Sequence, residues 1–212
     1  MERASPTVDG GGMGPIVLIG GGGHAMVVGE AALAQGYDVL GFYDDDPRAG
    51  VVMLAPHLGT FHDFGRLGDT PRIVAVGDLR ARRALLERVG GPFATVVHPS
   101  AIVSPSAELG AGVFVGPLAV VHARARVGAH AILNTASVIE HDCMLGANVH
   151  VAPTAALGGN VRVGPDTLIG LGARALPGVR VGARSVVGAG SVVVGPVTDG
   201  VTVMGAPART KG

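Results

Sequence analysis

The adjacent residues His141 and Asp142 are where this chain most plainly holds side chains able to do chemistry. An imidazole with an ordinary pKa near 6.5 accepts a proton at neutral pH. A carboxylate beside it fixes the tautomer and stabilises the imidazolium. Together they make a general base, and the plain alternative is a surface pair of small energetic weight. A second candidate lies at Gly20-Gly21-Gly22-Gly23-His24, where glycines run into a helical stretch whose first amides could hold a phosphate. His24 reads there either as a phosphate-side ligand or as packing at the helix start. His57, His62, His98, His122 and His130 fall in loops or at turn positions and read as bystanders. The lone Cys143 excludes an intrachain disulfide and reads as buried filler.

Two scaffolds must position these groups. From Val97 through Val103, Leu109 and Val115 to Val193, an aliphatic residue or alanine recurs at every sixth position. The residue two before it is small or β-branched, as at Ala125, Ser137 and Cys143, and the residue after it is often glycine. A period of six fits neither a helix nor a plain strand. It predicts a parallel β-helix of hexapeptide repeats, about five and a half coils at three repeats per turn. The aliphatic row points down the prism axis, each side chain contributing roughly 1.5–3 kcal/mol, and glycine is expected to supply turn conformations that a Cβ makes costly. His141, two positions after inward Ile139, projects away from this core. Leu176-Pro177 and Val194 replace glycine-bearing turns, so the last coils are expected to be less regular. Phe114, Val138 and Leu168 point outward and call for a covering surface.

Ahead of the repeats, Ile16–Ile19 reads as a buried parallel strand. The glycine loop follows, then a helix from Met26 to Gln35 closed by Gly36, and a strand Val39–Tyr43 ending in Asp44-Asp45-Asp46. Gly20, Gly22 and Ala25 satisfy G-x-G-x-x-A with Asp44 near the ribose position. Only about 80 residues precede the repeats, which leaves no room for the second half of a dinucleotide domain. With a third strand, Ile73–Gly77, and a basic helix, Asp78–Val89, the unit is mononucleotide-sized. The expected organisation is a disordered tail over 1–14, an αβ domain over 15–92 and a β-helix over 93–212. Lys+Arg and Asp+Glu balance at 16 each, 3% of residues are aromatic and there is no Trp, which disfavours a nucleic-acid partner. No apolar run reaches membrane-spanning length and the start lacks a signal-peptide pattern, so the expected setting is cytoplasmic, without a membrane.

The glycine loop with His24, the acidic end of the second strand, the segment Asn134 to Cys143 and the tail Gly205-Ala206-Pro207-Ala208-Arg209 together resemble the hexapeptide-repeat nucleotide-sugar acetyltransferases over nearly all of Ile16 to Arg209. That family includes UDP-4-amino-sugar and GDP-perosamine N-acetyltransferases and sialic acid O-acetyltransferases. The resemblance implies a left-handed β-helix and an acetyl-CoA-dependent N-acetyltransferase acting on a nucleotide-linked amino sugar, with no metal. It casts His141 as the base with Asp142 behind it and the Gly159 amide as oxyanion donor. His150, Gly159, Ala206 and Pro207 would bind acetyl-CoA, and Asn134 the acceptor sugar. Gly20, Gly22, Gly23, His24, Asp44 and Asp45 would hold the nucleotide. It also implies a homotrimer with sites at subunit boundaries. Because guanine offers a carboxylate two adjacent donors and uracil only one, the aspartates favour a GDP-linked sugar such as GDP-perosamine over a UDP-linked one. Sugar O-acetylation, as of sialic acid, and a non-catalytic nucleotide-binding scaffold are the alternatives.

Overall fold

The structure is a computed structural model that describes residues 12–211. The expected disordered tail therefore lies outside the described residues over 1–11, while Gly14, assigned to it, already opens the first strand. The N-terminal unit runs β1 (Gly14–Ile19), α1 (Gly23–Gln35), β2 (Tyr37–Tyr43), β3 (His57–Gly59), β4 (Arg72–Val74) and α2 (Leu79–Leu86). The strands are parallel in the order β3-β2-β1-β4. With β2 and β4 on opposite sides of β1, the connections leaving β1 and β4 part at their C-terminal ends and open a crevice at Gly20, where such sheets bind ligands. Helix α1 begins at Gly23, three residues earlier than expected, with no side-chain cap and no acid in its first turn. It ends where Gly36 takes φ +97° and returns its N–H to Ala32 and Leu33.

The repeats form seventeen two-residue strands from Val96–Val97 to Val192–Val193. Each pairs with the strand 18 residues on, as Arg126 with Met144, so three strands complete one coil of a prism. The first face carries Phe114–Val115, Ile132–Leu133 and His150–Val151; the second carries Val120–Val121 and Val138–Ile139; the third carries Arg126–Val127 and Met144–Leu145. Over the middle coils the second residue of each strand and the small residue two before it are buried along the axis.

Three expectations are corrected. The glycine after the aliphatic row is needed for space, not for conformation: a Cβ on Gly110, Gly128, Gly146 or Gly164 would lie 2.5–2.6 Å from the backbone of the next coil. The left-handed turn falls elsewhere in the repeat, at Leu118, Arg124, His130, Ala136, Asp142 and Asn148, with φ between +54° and +61°. The last coils keep their register, Arg174 pairing with Val192 and Ala175 with Val193, because Pro177 packs in the space that Gly158 leaves open above it. Phe114, expected at a subunit surface, is buried in one core with Ile132, Val96 and the α1 residues Val28 and Ala32. The N-terminal unit thus seats on the first face, and its junction is continuous: Phe93 still bridges Arg72.

Candidate active site

The turn after the second face presents His141 and Asp142. Asp142 sits at the left-handed position with φ +61°, which short polar residues tolerate, and this turns its carboxylate back onto its neighbour. His141 Nδ1 donates to Asp142 Oδ2 at 2.7 Å, leaving Nε2 to accept a proton. One coil earlier, Arg124 forks onto the same carboxylate, Nε to Oδ1 at 2.7 Å and a terminal nitrogen to Oδ2 at 2.8 Å. The Arg124 and His141 hydrogen bonds hold the Asp142 carboxyl well below the usual carboxylate range. One coil later, Gly159 is buried under the imidazole: a Cβ there would stand 2.7 Å from His141 Cε1 and Nε2. Gly159 N–H has no hydrogen-bond partner among the described residues. The reason lies in the repeat, whose equivalent position leaves its N–H outside the ladder and accepts proline at Pro99, Pro117, Pro153, Pro165 and Pro177. Base and unspent donor therefore flank one point.

The remaining candidates gather where the N-terminal unit meets the first face. Gly20 takes φ +115°, and a Cβ on Gly21 would strike Ala49 and Phe42, whereas Gly22 and Gly23 have open space before them. Asp44 closes this loop, Oδ2 accepting Gly21 N–H at 2.7 Å and Oδ1 the Asp46 N–H at 2.9 Å. Asp45 Oδ1 accepts Phe61 N–H at 3.0 Å. His24 packs edge-on against Phe114, ring centroids 5.5 Å apart, and its buried Nε2 lacks a partner. His150 Nδ1 donates to Gly77 O at 3.1 Å and Nε2 accepts from the Asn134 carboxamide at 3.3 Å. Burial, helped by the Arg82 charge, pushes both His24 and His150 down to about 4, so both rings are neutral at pH 7. A groove of about 330 Å³ opens beside His150, lined by Gly77, Leu79, Arg80, Leu168 and Val186.

Within one chain these residues fall into two groups. Asn134, His150, His24 and the glycine loop share the corner between the first and second faces, while His141, Asp142 and Gly159 occupy the corner between the second and third. Ala206 and Pro207 lie in an exposed turn near the C-terminal end, about three and a half coils or roughly 17 Å along the axis from His141. Two residues escaped the sequence reading. Arg124 precedes Asp142 by 18 residues, so stepping the sequence by one coil places it on that carboxylate. Arg82, read as part of a basic solvated helix, is 1% exposed. It donates to Asn148 Oδ1 at 2.7 Å, Val76 O at 2.9 Å and Gly77 O at 3.1 Å, tying α2 and β4 to the β-helix; no local pattern marks it.

Among the described residues, no group of three or more His, Cys, Asp or Glu could hold a metal ion, and no helix is long and apolar enough to cross a membrane. Residues 15–89 match the PglD N-terminal domain family, and residues 137–164 and 160–194 match the hexapeptide repeat of succinyl-transferase. A perosamine N-acetyltransferase from Caulobacter crescentus, solved with CoA and GDP-perosamine, is 42% identical with a TM-score of 0.87, over 99% of this chain and 100% of that one. The acetyltransferase domain of PglB from Neisseria gonorrhoeae, solved with acetyl coenzyme A, is 39% identical with a TM-score of 0.88, over 93% and 98%. UDP-N-acetylbacillosamine N-acetyltransferase from Bacillus subtilis is 38% identical over 108 residues, 47% of this chain and 50% of that protein. The chain thus spans half or less of the curated relatives it matches and the full length of the perosamine enzyme. With that end-to-end correspondence, the chain belongs to the acetyl-CoA-dependent nucleotide-sugar N-acetyltransferases built on a left-handed β-helix.

Proposed function

We propose that this protein moves the acetyl group of acetyl-CoA onto the amino group of a nucleotide-linked amino sugar, a GDP-linked 4-amino-4,6-dideoxy sugar such as GDP-perosamine being the favoured acceptor. The carrying observation is the His141 ring, anchored by Asp142, lying directly over Gly159 with its unpaired N–H. As the amine attacks the thioester carbon, His141 Nε2 takes the proton from the nitrogen. Gly159 N–H donates to the carbonyl oxygen as it gains charge, an interaction worth roughly 2.7–4 kcal/mol in comparable sites. The C–S bond then breaks, and the imidazolium returns its proton to the departing thiolate. Free donors at the start of α1, with open space at Gly22 and Gly23, suit the sugar's diphosphate. Ala206 and Pro207 lie within the reach of an extended coenzyme A from His141.

The lean to GDP rests on the Asp45 carboxylate oxygen left over from Phe61, since guanine brings two adjacent donors, and on the full-length resemblance to the perosamine enzyme. The two-corner distribution of the site supports a homotrimer. The second face between the corners presents Ile102, Val120, Val138 and Val192 as an exposed or partly exposed apolar strip. Packing that face on a neighbour would set the His141 corner of one subunit against the Asn134 and His150 corner of the next. A solution mass of about 63 kDa, three times the 21.1 kDa chain, is expected, and a monomer at micromolar concentration would refute the assembly. For the chemistry, His141→Asn should lower kcat by roughly 10²–10⁴ with the fold intact, read as CoA release. Near-normal turnover would remove His141 from the base role.

A further inference from the structure

We infer that Arg124 is a positioning residue that acts on His141 through Asp142, keeping the imidazole unprotonated at neutral and mildly acidic pH. The inference rests on the base role proposed for His141. Arg124 stacks one coil before Asp142 and holds both of its carboxylate oxygens, at 2.7 and 2.8 Å, while Oδ2 also accepts the His141 Nδ1 proton. An isolated carboxylate would stabilise the imidazolium and raise its pKa. With a guanidinium already paired to it, protonating His141 leaves a net positive charge on the three groups. The fork also fixes the carboxylate plane, and with it the ring's orientation. The other groups facing this turn do not substitute for it. Glu140 Oε2 meets the His141 backbone N–H at 3.4 Å and its Oε1 lies 3.7 Å from His122 Nε2. On the following coil, Gly158, Gly159 and Asn160 carry no charge.

Arg124 is exposed and its removal leaves no buried group unpaired, so Arg124→Gln and Arg124→Lys are suitable probes. Full-length protein is titrated by NMR, the His141 ring signal being assigned by its loss in His141→Asn, and kcat/KM for CoA release is followed from pH 5.5 to 9. Arg124→Gln should raise the His141 midpoint by about half a pH unit and lower kcat/KM about threefold at pH 6, with the loss fading by pH 8. Arg124→Lys, which keeps the charge, should hold the midpoint near that of the parent. An unmoved midpoint in Arg124→Gln overturns the inference, and so does an equal shift in Arg124→Lys. The NMR result stands apart from the base assignment: should His141→Asn turn over normally, the base role fails while the midpoint still decides what Arg124 does.

Discussion

Replacing Gly159 by alanine tests the geometry on which the catalytic reading depends. A Cβ there would stand 2.7 Å from His141 Cε1 and Nε2, so reaching ordinary contact at 3.4 Å requires the ring to retreat about 0.7 Å. It cannot do so freely, because Nδ1 is held at 2.7 Å by Asp142, which Arg124 holds in turn. On the open side the ring can swing out only by breaking that bond. Displacement by about 1 Å of a group that must meet the reacting atoms costs on the order of 10²-fold in rate. The alanine keeps its own N–H, so the loss should report mainly the position of the base. We expect kcat for CoA release to fall about 100-fold, with Tm and circular dichroism close to the parent. Gly90→Ala, at an exposed site with open space, should leave the rate unchanged. In a His141→Asn background, Gly159→Ala should cost far less than it does alone. A Gly159→Ala enzyme turning over within threefold of the parent would refute the argument that this ring, in this place, takes the proton.

Arg82→Met should destabilise the protein by about 3–5 kcal/mol, since it leaves the Val76 and Gly77 carbonyls and Asn148 unpaired in a buried junction; thermal unfolding that matches the parent would show that the clamp is dispensable. His24 and His150 titrate near 4 when folded and near 6.5 when unfolded. The unfolded chain thus binds more protons between those values. Stability should be full above pH 6.5 and fall toward pH 4, by on the order of 3 kcal/mol per ring. Tm measured at pH 7.5 and pH 5 checks this, and His24→Leu should flatten the difference. Among acceptors, kcat/KM for a GDP-linked 4-amino sugar should exceed that for its UDP counterpart, and the reverse order would move the base reading away from Asp45.

The period of six, the inward aliphatic row and the outward placement of His141 were legible in the sequence because each repeat is a local unit whose side chains take their direction from their own short strand. The same locality made the glycine loop, α1 and the acidic end of β2 readable, and the coil length of 18 residues already relates His141 to Gly159 and Arg124 to Asp142. Packing at longer range decided the rest. Arg82 lies in a helix of ordinary basic pattern, and only the seating of α2 on the β-helix, 66 residues away at Asn148, makes it a buried clamp. Phe114 looked like surface until α1 covered it. The glycines after the aliphatic row looked conformational, but their cause is the approach of the next coil's backbone. The family motif runs Asn134, His141 and His150 together, yet the prism sends them to two corners, since residues one repeat apart in a three-sided coil face different directions and only those a whole coil apart stack.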